Sequence, residues 1–295
     1  SVMHAARVRG ISVIGMLRSW DNVSQRIIRA FPDQLLVGSE TIRDEVLELY
    51  RYPIKRISIV GNPHYDSYLN GATQTKKEFF KEWNFNLSKK IILYAPVSDA
   101  LIHVNDIDKH ILSILSEIDA TILVRFPPEK PVTLNDFLPR ENIFYDRPGA
   151  TFKLAKFGDR EIRKVDDERL VNSIVHSDLV ITGPTSICLD AAFFDKPVIA
   201  VDFYPTLRNF YDSVWSYQCD HIRKLLSTGG VRYVKNKQDF LSAINEYFEH
   251  PEHDAIGRAK IRSLWFSHVD GKSGERVVVK ILQMLKGDTK RSIKT

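Results

Sequence analysis

Residues 177–202 read SDLVITGPTSICLDAAFFDKPVIAVD. The apolar run Leu179–Thr182 stops at Gly183-Pro184, a helical pattern follows from Ser186 to Phe194, and a second apolar run opens at Pro197. A β-rich run, a sharp turn, one 3.6-period segment and another β-rich run make a βαβ unit of ordinary length. Both runs are almost continuously hydrophobic, as strands covered on both faces are. The same alternation extends in both directions. Strands are expected at Ile11–Met16, Gln34–Val37, Ile57–Val60, Lys90–Tyr94 and Thr121–Arg125. Helices are expected at Glu40–Tyr50, Lys76–Trp83, Asp106–Ile118, Asp167–Val175, Gln238–Phe248, Pro251–Phe266 and Ser273–Leu285, with Asp106 and Ser273 as N-caps. The fold class is therefore α/β, a doubly wound parallel sheet of Rossmann type.

A chain of 295 residues, 43% hydrophobic and 27% charged, can bury a core and is long enough for about two domains. The net charge of +5 is mild and dispersed, which argues against nucleic acid as a partner. Two cysteines, Cys188 and Cys219, cannot build a disulfide framework, so a reducing, intracellular setting is the default. No apolar run reaches the roughly 20 residues of a membrane span. No His pair stands at i, i+4 within a helix, so no catalytic metal and no cofactor are expected. Neither a Gly-x-x-x-x-Gly-Lys-Ser/Thr P-loop nor a Gly-x-Gly-x-x-Gly fingerprint occurs.

Three domain segments are expected. Residues 1–72 form a short first unit with two or three strands, too few to cover both faces of a sheet. Residues 73–270 form a complete doubly wound domain, entered through the polar linker Asn70–Lys77. Residues 271–295 hold a crossover helix and a basic tail. Arg147–Arg163 reads as an irregular loop or lid. The first residue is not Met, so the chain reads as a fragment or processed form, with a missing N-terminal segment or partner chain as one explanation.

The turn at Thr182–Ser186 is the strongest candidate site. Gly183 and Pro184 make the turn, and Thr185 and Ser186 stand where a helix exposes backbone N–H groups at the carboxyl end of strands. Such a place suits phosphate. Asp190, one helical turn on, suits a ribose diol. The competing reading makes Thr185 and Ser186 helix caps and Asp190 a surface acid.

These residues also carry a resemblance. HSDLVITGPTSICLDAAFFDKPVI resembles the nucleotide-binding segment of GT-B-fold glycosyltransferases, within them the CDP-glycerol glycerophosphotransferase group and neighbouring surface-polysaccharide enzymes. The segments KKIILYAPVSDA, HVDGKSGERVV and SWDNVSQR…FPDQLLVGSE…VGNPHYDSY are similar to family segments in the same order. Gly183-Pro184-Thr185 departs from the Asp-Tyr-Ser usual there. The resemblance spans about residues 5 to 285. It implies a GT-B-like enzyme that moves a glycosyl or glycerol-phosphate group from a CDP-, UDP- or GDP-linked donor to a cell-surface glycan. It also implies that the chain starts inside the last part of an acceptor-side domain. The setting it implies is cytoplasmic, with a peripheral contact to a membrane-bound acceptor as one option. The alternatives are a nucleotide-sugar 2-epimerase-like enzyme and a non-catalytic, nucleotide-sugar-binding or scaffolding member of the fold.

Within that frame Arg125 suits bidentate contact with a diphosphate, or pairs with a surface acid. Asp21 and His64 are the candidate bases. Trp20 would stack on a sugar or base, or pack in the core; Asn22 sits beside it on the same loop. Ser98, Asp99 and His103 follow a strand toward the donor, and His103 is also readable as a solvated loop residue. Lys272 and Ser273 open a helix that reads as a second anion site or an imperfect capping box with Arg276. Asp66 reads as an N-cap. Cys188, Phe193 and Phe194 read as core.

Overall fold

The computed structural model describes residues 2–25, 27–128, 131–134, 136–151 and 160–292. The chain folds as two compact units, Ser1–Asn70 with Arg262–Thr295, and Gly71–Ile261. No helix among the described residues is long and apolar enough to cross a membrane.

The first unit begins with helix α1 (Val2–Val8) and builds a three-stranded parallel sheet, β1 (Ile14–Met16), β2 (Gln34–Val37) and β3 (Ile57–Ile59), in that order. The expected strand at Ile11 starts three residues later, at Ile14. Helices α2 (Asn22–Gln25), α3 (Glu40–Tyr50) and α4 (Pro63–Asp66) follow the strands. The Ser39 hydroxyl caps α3 by accepting from Ile42 N at 3.3 Å. Leu35, Val37, Ile42, Val46, Val23 and Tyr52 form the core, with Phe31 stacked on Tyr52 at 4.7 Å.

The second unit opens with α5 (Lys76–Trp83), held by a full capping box between Thr75 and Glu78. Its six-stranded sheet consists of β4 (Lys90–Ala95), β5 (Ala120–Arg125), β6 (Ile143–Asp146), β9 (Leu179–Thr182), β10 (Val198–Val201) and β11 (Arg232–Val234). Two further strands, β7 (Ala150–Thr151) and β8 (Arg160–Glu161), pair antiparallel with each other. The expected lid over Arg147–Arg163 falls partly on 152–159, outside the described residues. Helices α6 (Ile107–Leu115), α7 (Lys164–His176), α8 (Ile187–Phe193), α9 (Asp220–Ser227) and α10 (Lys237–Glu249) connect the strands. Helix α11 (Ala255–Trp265) leads out of this unit, and α12 (Ser273–Ser292) closes the first one.

The sheet order is β11-β10-β9-β4-β5-β6, parallel throughout. Its central strands are buried along nearly their whole length, which explains why they read as unbroken apolar runs. Strands β6 and β11 escaped sequence reading. IFYD and RYV are short, mix polar with apolar side chains, and sit at the two edges of the sheet, where covering is less complete. The division between the two units falls inside the stretch read as a linker, at Asn70 and Gly71, and just beyond that division Asn172 of α7 accepts from Thr73 N at 2.8 Å and Gln74 N at 3.3 Å. Asp106 is not a cap: it has helical backbone, and Asn105 accepts from Asp108 N in its place.

Candidate functional site

From β4 the chain moves outward to β5 and β6; from β9 it moves the other way to β10 and β11. Right-handed crossovers then put α6 and α8 on opposite faces of the sheet. The loops after β4 and β9 part at this point, and open α/β sheets bind ligands in the crevice so formed.

Two loops meet there closely. A Cβ placed on Gly183 would lie 2.7 Å from Val97 Cγ2, so a side chain there would force Val97 of the β4 loop to shift. Past the turn, the hydroxyls of Thr182 and Thr185 bond at 2.9 Å, while Ser186 is exposed and makes no capping bond. The capping reading therefore fails for Ser186. Helix α8 has only seven residues, and the amides of Cys188, Leu189 and Asp190 already donate to the carbonyls of Thr185 and Ser186. Asp190 is 7% exposed and is not a surface acid. Cys188 is core, its thiol pushed up to about 12 chiefly by burial. Phe193 and Phe194 are half-buried, their rings 5.1 Å apart.

The β4 loop is organised by a residue the sequence reading passed over. Asp108, fully buried on α6, accepts from the Tyr94 hydroxyl at 2.5 Å, Val97 N at 2.8 Å, Ser98 N at 3.2 Å and Asn105 Nδ2 at 2.7 Å. Burial raises its pKa, and these bonds oppose the rise. The spacing Asn105-x-x-Asp108, that of a capping box, was the available signal. Held by this clamp, Ser98 adopts φ +74°, and its hydroxyl, on a residue 2% exposed, has no hydrogen-bond partner. A left-handed non-glycine residue and an orphaned hydroxyl are both unfavourable, and such costs gather at functional sites. His103, on the same loop, is exposed.

Arg125 ends β5 at 8% exposure. Its fork bonds Asp146 through Nη1 and the Asp166 carbonyl through Nη2 at 2.8 Å. Asp146 is buried and also accepts from Arg169 Nη1 at 2.8 Å. The acid partner is thus interior, not on the surface, and it ends a strand that the sequence did not reveal.

In the first unit, Trp20 is buried and meets Trp265 edge-on at 5.8 Å, which is the packed reading. Asp21 precedes α2, is partly buried, and shares Oδ1 with Asn22 Nδ2 at 3.4 Å. Asn22 Oδ1 accepts from Ser19 N at 3.3 Å. His64 is exposed on α4, its Nε2 3.1 Å from the Tyr68 hydroxyl. Ser273 does not cap α12. The acids do so: Asp270 Oδ1 accepts from Lys272 N at 3.1 Å, and Asp66 Oδ2 from Gly274 N at 3.2 Å. Asp66, expected to cap the next short helix, thus places its carboxylate at the beginning of α12. Arg276 does not complete a capping box either; it reaches back to Asp270, with Nη1 2.8 Å from Oδ1. A carboxylate already occupies this helix start, which disfavours a second anion there. Lys272 is exposed. The Ser273 hydroxyl is buried without a partner, against Gly61 at φ +82°.

The model of the family "CDP-Glycerol:Poly(glycerophosphate) glycerophosphotransferase" matches residues 18–283. A curated relative, the teichoic acid poly(ribitol-phosphate) polymerase of Bacillus spizizenii, is 24% identical over 84% of this chain. The chain spans 37% of that relative's length. Among solved structures, a variant of the wall teichoic acid polymerase TagF soaked with CDPG matches with a TM-score of 0.53 at 18% identity, over 87% of this chain and 57% of that one. S. aureus MnaA in a co-structure with UDP matches with a TM-score of 0.58 at 16% identity, over 96% and 70%. At these identities the structures establish the fold, which is GT-B-like.

Proposed function

The chain belongs to the CDP-glycerol:poly(glycerophosphate) glycerophosphotransferase family, and on that premise we propose that it takes part in moving a polyol-phosphate group from a CDP-linked donor to a teichoic-acid-type acceptor. The site proposed for the donor diphosphate lies at the diverging loops after β4 and β9. The observation that carries the reading is Ser98, strained and with an unpaired buried hydroxyl beside the Gly183 turn. A ligand oxygen entering there would give that hydroxyl a partner. Backbone N–H groups of Ser186 and Ile187, with the hydroxyls of Thr185 and Ser186, would then stabilise the anion that develops on the leaving nucleotide. Asp190 would take a ribose hydroxyl. Arg125 is assigned a supporting role, because its fork is already bonded to Asp146 and the Asp166 carbonyl. The acceptor hydroxyl has to lose a proton, and Asp21 and His64 are the proposed acceptors of it.

Titration of the chain with CDP-, UDP- and GDP-linked compounds tests this. The CDP-linked donor should bind tightest. The pair Thr185→Ala with Ser186→Ala should weaken it at least tenfold, at a stability cost of about 1 kcal/mol, the worth of one hydroxyl pair. Unchanged binding in that variant would remove the site. The likeness to MnaA supports the fold alone, so an epimerase reading is not proposed.

A further inference from the structure

A separate group of side chains lies at the far end of α10. Among the described residues, His250, Glu252 and His253 each bring a ligand atom within 4.8 Å of the other two. We propose that they form a binding site for a borderline divalent transition ion, with Zn2+ as the occupant the donor set favours. This site is independent of the donor reading: α10 follows β11 and runs back across the sheet, so its C-terminal end lies at the edge away from the β4 and β9 loops.

Two observations besides proximity carry the inference. His250 Nδ1 and Glu252 Oε1 are 3.3 Å apart. Two ligands on a tetrahedral ion at roughly 2.0–2.2 Å stand about 3.4 Å from each other, so this pair needs little rearrangement. Second, His253 is oriented from behind. Its Nδ1 lies 2.6 Å from Glu246 Oε1, and Glu246 is in turn held by Arg232 Nη1 at 2.9 Å and Nη2 at 3.3 Å. A carboxylate that accepts a hydrogen bond from Nδ1–H fixes the tautomer and leaves Nε2 with its lone pair free for an ion, the arrangement that supports metal-bound imidazoles. The two rings stack at 5.0 Å and 16°, so one imidazole turns about its side-chain torsions to bring both lone pairs onto one ion.

The donors select the ion. Two imidazoles and one carboxylate suit Zn2+, Ni2+ or Cu2+, whereas Mg2+ and Ca2+ take oxygen ligands. On binding, the ion displaces the proton shared by His250 and Glu252, so affinity falls as the histidines protonate. His250 is the C-cap residue just after α10, and Glu252 and His253 lie in the turn before α11, so the ion would staple the two helices' shared corner.

The test uses the full chain without a polyhistidine tag, stripped with EDTA and titrated with ZnCl2 and, separately, MgCl2. The expected result is one saturable Zn2+ per chain, no saturable Mg2+, and a melting point that rises with Zn2+. His250→Ala and His253→Ala should each abolish the saturable step, and His103→Ala should leave it intact. Glu246→Ala keeps every ligand and should lower Zn2+ affinity about 10–100-fold. All variants should melt like the parent in EDTA, apart from the modest loss of the Arg232 pair in Glu246→Ala. Absence of saturable Zn2+ binding, or binding unchanged in the double His variant, would overturn the site.

Discussion

Gly183 shows how much one missing methyl group decides. The turn after β9 and the loop after β4 approach so closely that a Cβ on Gly183 would sit 2.7 Å from Val97 Cγ2. Gly183→Ala should destabilise by about 1–3 kcal/mol, the usual range for forced overpacking. Shortening Val97 in the same chain should recover part of that loss, so the double variant should fall short of additivity in urea unfolding. Additive losses would show that the two loops do not press on each other. Glu246 gives the counterpart for charge. Hydrogen bonds from Arg232 first, and His253 next, hold its carboxyl down at about 2. A depressed acid contributes stability that is present above its unfolded value, about 4.3, and is lost as pH falls toward 2. With metal excluded by EDTA, Glu246→Gln should flatten the stability curve between those limits; a curve parallel to the parent's would contradict the pairing.

At the scale of elements, the β4–α6 loop takes its shape from a helix residue, not from its own sequence. Asp108 collects two amides, a tyrosine hydroxyl and a side-chain amide. Asp108→Asn presents an NH2 group to an array made of donors, so at least one buried donor loses its partner. The expected cost is about 2–3 kcal/mol in denaturant unfolding. The same change should weaken binding of the proposed CDP-linked donor, because Ser98 would no longer be held in its left-handed conformation. Ser98→Gly separates the two effects. Glycine adopts φ +74° freely, so stability should hold or rise while donor affinity falls with the lost hydroxyl. Parent-like affinity in Ser98→Gly would take Ser98 out of the site.

For the whole molecule, continuity along the chain predicts which unit stands alone. Gly71–Ile261 is one uninterrupted segment with a complete six-stranded sheet. Expressed by itself it should unfold in a single cooperative transition with dispersed amide spectra. Residues 1–70 alone should not fold. Their unit draws Trp265 against Trp20, Phe266 against Tyr65 at 4.7 Å, Ser267 onto Glu40 N at 3.0 Å, and Gly274 onto Asp66 from the distant C-terminal segment. A cooperative transition in the 1–70 fragment would contradict this division.

The amino-acid sequence was sufficient for what local patterning encodes. Buried parallel strands read as unbroken apolar runs, so Gln34–Val37 and Leu179–Thr182 were bounded correctly, as were the helices Glu40–Tyr50 and Lys76–Trp83. The Gly183 turn and the family segments were legible for the same reason. Edge strands β6 and β11 were not, because half-covered strands carry no continuous hydrophobic signal. Tertiary structure alone decided which polar groups are already occupied. Arg125 is bonded to Asp146, Trp20 packs on Trp265, Asp66 caps a helix some 200 residues away, and Ser98 is left without a partner. Pairing between distant segments has no period and no fixed spacing, so it exists only once the chain has closed on itself.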